Sequence, residues 1–233
     1  MQNPTNRRTL PWIATALLMV SMVVLCLIIP VHLVALNLGF YREKWMEYGV
    51  TEETGMSIED LSLSGRALFD YFTGKTATPQ VTVPILGQER PLYNATELTH
   101  LYDVRSLFQA GFTLEQALAA EVLGITLYLM KSGQKRALSR ALFTAAGVTV
   151  GILVALAIPA KMNFAGWWTN FHLLAFTNDL WLLDPNTDWL IKMFPEEFFL
   201  SAVERVGVLA SGISVLYVLS GFLIRNVAAD HRH

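Results

Sequence analysis

The chain has 233 residues, 53% of them hydrophobic, and a mean hydropathy of +0.42. So apolar a composition excludes a string of soluble domains and points to one membrane-embedded unit. A formal net charge of −2 leaves no electrostatic footprint for nucleic acid, and a single cysteine, Cys26, excludes an intramolecular disulfide framework.

A spanning helix needs about 20 mostly apolar residues, and four stretches qualify. The first covers 12–38, with no charge between Arg8 and Arg42. It is too long for a cleaved signal segment and no A-x-A-like site follows it, so it reads as an anchor. Leu25, before Cys26, is bulky where a lipobox needs a small residue, so Cys26 reads as a small buried hydrophobe. The polar segment 39–111 comes next. Within it, Tyr41 to Tyr48 reads as the end of the first helix or a short amphipathic continuation. Ser57 with Asp60 three residues on starts a helix through Asp70, with Ile58, Leu61, Leu68 and Phe69 apolar. Val81 to Ile85 alternates as a strand, confined to an edge by Pro84. The cap-like residues after Tyr93 open a helix from about Glu97 to Gln109, ending near Gly111.

The second span is 112–130 and carries one acid, Glu121. A basic loop, 131–140, holds Lys131, Lys135, Arg136 and Arg140. The third span, 141–160, and the fourth, 206–224, are uncharged. Between them lies an aromatic segment, 161–205, with Phe164, Trp167, Trp168, Phe171, Phe176, Trp181, Trp189, Phe194, Phe198 and Phe199. Such rings suit a membrane–water interface, as a belt or as a floor admitting acyl chains. A tail, 225–233, ends the chain. Arg7 and Arg8, the basic loop, Arg225 and Arg232 place both termini in the cytoplasm by the positive-inside rule. The expected fold is a mainly α integral membrane protein: a four-transmembrane-helix bundle with a small mixed α/β extracytoplasmic cap.

Three histidines precede the tail residues His231 and His233: His32, His100 and His172. His32 near the end of the first span reads as a hydrogen-bonded polar group inside the bundle. His100 and His172 fall in separate outer segments and meet if those segments pack together. Asp103 lies three residues after His100, so on a helix the two are neighbours. A carboxylate on one ring nitrogen would fix the tautomer and leave the other as a base, although a surface pair is the plainer reading of two such residues alone. Glu121 within a span defaults to a functional role: it faces a polar cavity, or it is a structural group that pairs with Arg205 or sits in a water-filled groove.

The run Glu97-Leu98-Thr99-His100-Leu101-Tyr102-Asp103-Val104 resembles the E-L-x-H-x-x-D-V signature of the lipoprotein intramolecular transacylase (Lit) family. Asn170-Phe171-His172 with Phe176-Thr177-Asn178-Asp179 and Trp181 resembles its second signature. Leu183-Asp184-Pro185 and Phe194-Pro195-Glu196-Glu197-Phe198-Phe199 continue the similarity. The resemblance covers essentially the whole chain. It implies a bacterial cell-membrane acyltransferase whose partners are diacylglyceryl-modified lipoproteins and membrane lipid. The implied reaction moves the sn-2 acyl chain onto the α-amino group of the same cysteine, giving the lyso-form, without a cofactor. The family's functional histidines map onto His100 and His172, with Asp103 as orienter. Arg105, Asn170, Asn178, Glu121 and Trp168 are candidate substrate-binding residues; Asn170, Asn178 and Arg105 are also candidate oxyanion donors, and each has a structural reading as a cap or surface residue.

Two rival readings stand beside this one. A non-enzymatic membrane sensor or transporter subunit would suit four helices, but three of the four spans carry no charge for a transport path. A metal site of His100, His172 and nearby acids lacks the H-x-x-x-H or H-E-x-x-H spacing.

Overall fold

The structure is a computed structural model that describes residues 6–85 and 87–230, with side-chain surroundings from residue 12 to residue 226. Residues His231, Arg232 and His233, and the side chains of Arg7 and Arg8, lie outside what is described. Among the described residues, four helices are long and apolar enough to cross a membrane: α1 (Asn6–Ala35), α5 (Ala95–Lys131), α6 (Lys135–Met162) and α9 (Glu196–Asp230). Between α1 and α5 come α2 (Leu38–Glu47), α3 (Val50–Thr54), α4 (Ile58–Phe72), β1 (Thr82–Ile85) and β2 (Gln88–Pro91). Between α6 and α9 come α7 (Phe164–Ala175) and α8 (Trp189–Met193). The protein is thus a mainly α, membrane-integral chain with one small two-stranded sheet.

Three elements differ from the expectations. The helix expected to stop near Gly111 continues as α5 to Lys131. A glycine inside a helix costs about 1 kcal/mol against alanine, but Phe108 and Phe112 on either side of it pack on the His32 ring, 5.7 and 4.2 Å between centroids. That packing carries the helix through the weak point. The basic stretch 131–140 is mostly helix, since Lys135 already opens α6. The reversal needs only Ser132, Gly133 and Gln134. Gly133 takes φ 73°, its N–H bonds Met130 O at 3.2 Å, and Gln134 N bonds Leu129 O at 2.8 Å; this is the left-handed helix stop that glycine favours. The strand does not stand alone either: β1 pairs antiparallel with β2, Pro84 opposite Glu89, and β2 had no alternation to announce it. The capped start at Ser57 is as expected, with Ser57 Oγ accepting from Asp60 N at 3.1 Å.

The chain divides into two compact units. The first comprises Met1–Val31, Thr113–Ala157 and Arg205–His233. Its core joins Leu18, Met22 and Val23 of α1 to Leu129 of α5 and to Leu138, Ala141, Leu142 and Ala145 of α6, with Tyr217 and Ile224 of α9 against it. Polar links staple the helices: Cys26 Sγ donates to Ala210 O (3.3 Å), Ser139 Oγ to Gly221 O (2.9 Å) and Ser21 Oγ to Glu121 Oε2 (2.9 Å). In hydrocarbon such groups need internal partners. Outward, Leu123, Val154, Val208, Leu216, Leu219, Phe222 and Leu223 stay exposed, as side chains facing lipid would be.

The second unit comprises His32–Phe112 and Ile158–Glu204. At its centre Trp45 is fully buried and donates from Nε1 to Met193 O at 2.8 Å. Gly65 lies so close that an added Cβ would come within 2.9 Å of Trp45 Cη2. Tyr41 packs edge-on against Trp45, Phe69, Phe194 and Phe198. Three of the ten rings that read from sequence as an interfacial belt, Phe164, Phe194 and Phe198, are buried in the core instead.

Candidate active site

A reciprocal cap starts α5. Asn94 Oδ1 accepts from Glu97 N at 3.0 Å, and Glu97 Oε2 accepts from Asn94 N at 2.8 Å; both orphan donors of the helix start are satisfied. Glu97 is fully buried, and its other oxygen accepts from Leu190 N of α8 at 2.7 Å. Burial pushes its carboxyl above the usual carboxylate range, against the pull of the backbone N–H groups it accepts from. Asn94 Nδ2 donates to Asp188 Oδ1 at 2.7 Å, and Asp188 Oδ2 accepts from Asp184 N at 2.8 Å. The first turn of α5 is thereby tied to the 184–190 segment. His100, three residues after Glu97, is held in a buried position.

The second histidine comes from α7, whose start Asn163 caps by accepting from Gly166 N at 3.0 Å. His172 Nδ1 lies 2.8 Å from Trp168 O. A carbonyl only accepts, so Nδ1 carries the proton of the neutral ring and Nε2 keeps its lone pair. The His100 and His172 centroids are 6.1 Å apart, with the rings inclined by 33°. Phe176 lies 5.2 Å from the first ring and 5.6 Å from the second. Trp181 stacks on His172 at 4.8 Å, and Trp168 meets it edge-on at 4.7 Å. His100 Nδ1 is buried without a hydrogen-bond partner.

This apolar housing sets the charge state. His100 lies outside the expected span 112–130; burial, then the neighbouring His172, pull its pKa down to about 4, partly opposed by Asp103. Burial also lowers that of His172, against the bond to Trp168 O. Both rings are neutral at pH 7, a pair of weak bases whose protonated forms would be more acidic than an ordinary imidazolium.

Asp103 does not hydrogen-bond His100 as expected. Its Oδ2 accepts from Asn178 Nδ2 at 2.8 Å. The buried imidazole faces the rings of His172 and Phe176, whereas the half-exposed carboxylate meets the loop after α7. Asn178 Oδ1 in turn accepts from Leu180 N at 3.0 Å. His100, Asp103, His172, Asn178 and Trp168 thus come together. Arg105 instead lies over the Tyr71 ring at 4.6 Å, and Asn170 is exposed on α7. Glu121 belongs to the first unit and takes Ser21, not Arg205, as its partner. Glu97 and Trp181 carry more of the local architecture than sequence reasoning assigned them; the Asn94-x-x-Glu97 spacing was the available signal for the former. Among the described residues no group of three or more His, Cys, Asp or Glu is placed to hold a metal ion.

A family model described as "Lipoprotein intramolecular transacylase Lit" matches residues 16–199. No curated protein matches the chain in sequence. Among solved structures, the chain is similar to the membrane-integral lipoprotein intramolecular transacylase Lit of Bacillus cereus: TM-score 0.80 and 19% identity, covering 96% of this chain and 98% of that one. A histidine-to-alanine variant of the Bacillus cereus protein aligns with TM-score 0.78 and 19% identity over 99% of both chains. At that identity the likeness is one of fold.

Proposed function

The chain belongs to the lipoprotein intramolecular transacylase family, and from that premise we propose that it moves the sn-2 acyl chain of a diacylglyceryl-cysteine lipoprotein onto the α-amino group of the same cysteine. The observation that carries this reading is the approach of His100 and His172, from two separate segments, to 6.1 Å between ring centroids. Acyl transfer from ester to amine needs one proton removed and one delivered. The α-ammonium, with a pKa of about 8, first gives up one proton to solvent, leaving the neutral amine. The amine nitrogen then attacks the sn-2 ester carbonyl carbon, and the adduct's nitrogen loses its second proton to His172 Nε2, the lone pair left open by the bond to Trp168 O. That proton passes to the neutral His100 ring, and as the tetrahedral adduct collapses, the carbon–oxygen bond to glycerol breaks and the departing oxygen takes it from the His100 imidazolium, more acidic than an ordinary imidazolium because its site disfavours charge. A proton passes from nitrogen to the glycerol oxygen, no water is consumed, and the product is an isomer of the substrate.

Amine and ester belong to one molecule, so holding them in an attack geometry supplies proximity without a covalent enzyme intermediate. Acyl chains suit the rim of the second unit, where Met162, Leu173, Leu174 and Leu182 are exposed at 82, 60, 90 and 62%. Trp168, stacked on Phe199 at 4.3 Å and Phe171 at 5.0 Å, provides a flat apolar wall beside His172. Lys131, Lys135, Arg136 and Arg140 cluster about the α5–α6 turn. By the positive-inside rule that turn and both termini are cytoplasmic, and the histidines act at the outer leaflet.

The test is mass spectrometry of N-terminal lipopeptides from a reporter lipoprotein, in a host that makes only the diacylglyceryl form. Expression of this protein should yield an isomeric species that fragments as N-acylated cysteine with a monoacylglyceryl thioether. His100→Ala and His172→Ala should each cost about 10²–10⁴-fold. A lipopeptide that keeps its free amine in the presence of well-expressed protein refutes the proposal.

A further inference from the structure

The mechanism leaves a polar atom beside the histidines unused. Trp181 Nε1 is buried and has no hydrogen-bond partner, while its ring lies stacked on His172, 4.8 Å between centroids and inclined by 27°. An indole N–H donates only and has no second tautomer. A buried donor without an acceptor costs about 1–3 kcal/mol, and the fold holds this one in place. Asn178 accepts from Leu180 N and donates to Asp103; Leu182 N bonds Asp179 O at 3.1 Å, and Leu183 N bonds Trp181 O at 3.0 Å. The loop is pinned on both sides of an indole whose donor has nothing to meet.

We propose that the Trp181 indole N–H is a substrate-binding donor that takes the sn-2 ester carbonyl oxygen and, in the transition state, the oxyanion that grows on it. The inference rests on the acyl-transfer reading above. Its physical basis is position: the group lies against the ring that serves the amine, among apolar side chains that exclude water, where a fixed donor stabilises developing charge most. Trp189 Nε1 is also buried without a partner, but its ring lies under Arg90 and Lys192, at 5.2 and 4.7 Å, and makes no ring contact with either histidine. It offers the same chemical deletion away from the reacting groups.

The experiment uses the full-length protein in lipid with a synthetic diacylglyceryl-cysteine lipopeptide, product formation followed by mass spectrometry across pH. Trp181 is replaced by phenylalanine and, separately, by benzothienylalanine, which keeps the bicyclic shape but carries sulfur for N–H. Both should lower kcat by about 10²-fold, the scale of one oxyanion donor, with the pH profile unmoved because no titrating group is altered. Trp189→Phe should have a far smaller effect. Wild-type kcat in the benzothienylalanine protein would overturn the proposal, since ring shape alone would then suffice. A moved acid limb would also overturn it, showing that Trp181 acts by placing His172. Failure of the unmodified protein to make product would instead sink the acyl-transfer reading itself.

Discussion

Asp103 acts on the site in two ways that substitution can separate. Its carboxylate accepts from Asn178 at 2.8 Å, which secures the loop bearing Trp181, and its charge raises the pKa of His100 against the larger lowering by burial. Asp103→Asn keeps an acceptor oxygen and removes the charge. The imidazolium of His100 should then be less favoured, moving its titration below about 4, while the neutral ring that predominates at pH 7 stays unchanged. Activity at pH 7 should stay within several-fold of wild type, read from the rate of lipopeptide conversion. Asp103→Ala removes the anchor as well and should lose at least tenfold more than Asp103→Asn; equal losses would mean that charge, not the loop, is what matters. The acid limb set by the two rings should lie below the ordinary histidine value of about 6.5, because burial lowers both. His100 and Asp103 were picked out by the resemblance of their run to the family signature, since their spacing alone reads as a surface pair, and the link from Asp103 to Asn178 was not legible. Local periodicity makes i and i+3 neighbours and contains nothing about a loop that returns later in the chain.

At the scale of elements, the start of α5 decides whether His100 is presented at all. Glu97→Ala would leave the buried Leu190 N–H and the Asn94 N–H of an exposed residue without this acceptor, at a cost on the order of 1–3 kcal/mol for the buried group left unpaired. Glu97→Gln retains one carbonyl oxygen for two donors and should fall between Glu97→Ala and wild type. Thermal unfolding in detergent reads the order wild type, Gln, Ala; a Glu97→Ala protein as stable as wild type would show that the cap is idle. Elements whose signals are local could be read from the chain: the Ser57 cap, the alternation of β1, and four apolar runs long enough for a membrane. Others depended on contacts distant in sequence. α5 passes through Gly111 because Phe108 and Phe112 find His32, and the basic stretch is helical because Leu138, Ala141 and Leu142 bury against α1 and α5 residues in the first unit's core. Charges on that stretch mark the membrane side and carry no information about where the helix begins.

For the whole molecule, orientation in the membrane decides whether the chemistry reaches its substrate, because lipid-modified cysteines are displayed on the outer leaflet in the proposed reaction. Orientation depends on the charges of a few residues. Lys131, Lys135, Arg136 and Arg140 flank the turn at Gly133 and no acid interrupts them, whereas Glu89, Glu97, Asp103, Asp179, Asp184 and Asp188 all belong to the second unit. Positive residues resist translocation far more than acids favour it, so the short α5–α6 turn determines the topology. Cys26 is fully buried and bonded to Ala210 O, and Cys26→Ala gives a thiol-free background for mapping. In that background Ser132→Cys should react with a membrane-impermeant maleimide in inverted vesicles and stay protected in intact cells. Glu89→Cys, on the fully exposed strand β2, should show the opposite. If Ser132→Cys labels from outside while Glu89→Cys does not, the histidine pair faces the cytoplasm. The enzyme would then meet lipoproteins before export or not at all, and the outer-leaflet reaction would have to be abandoned even with the site geometry intact.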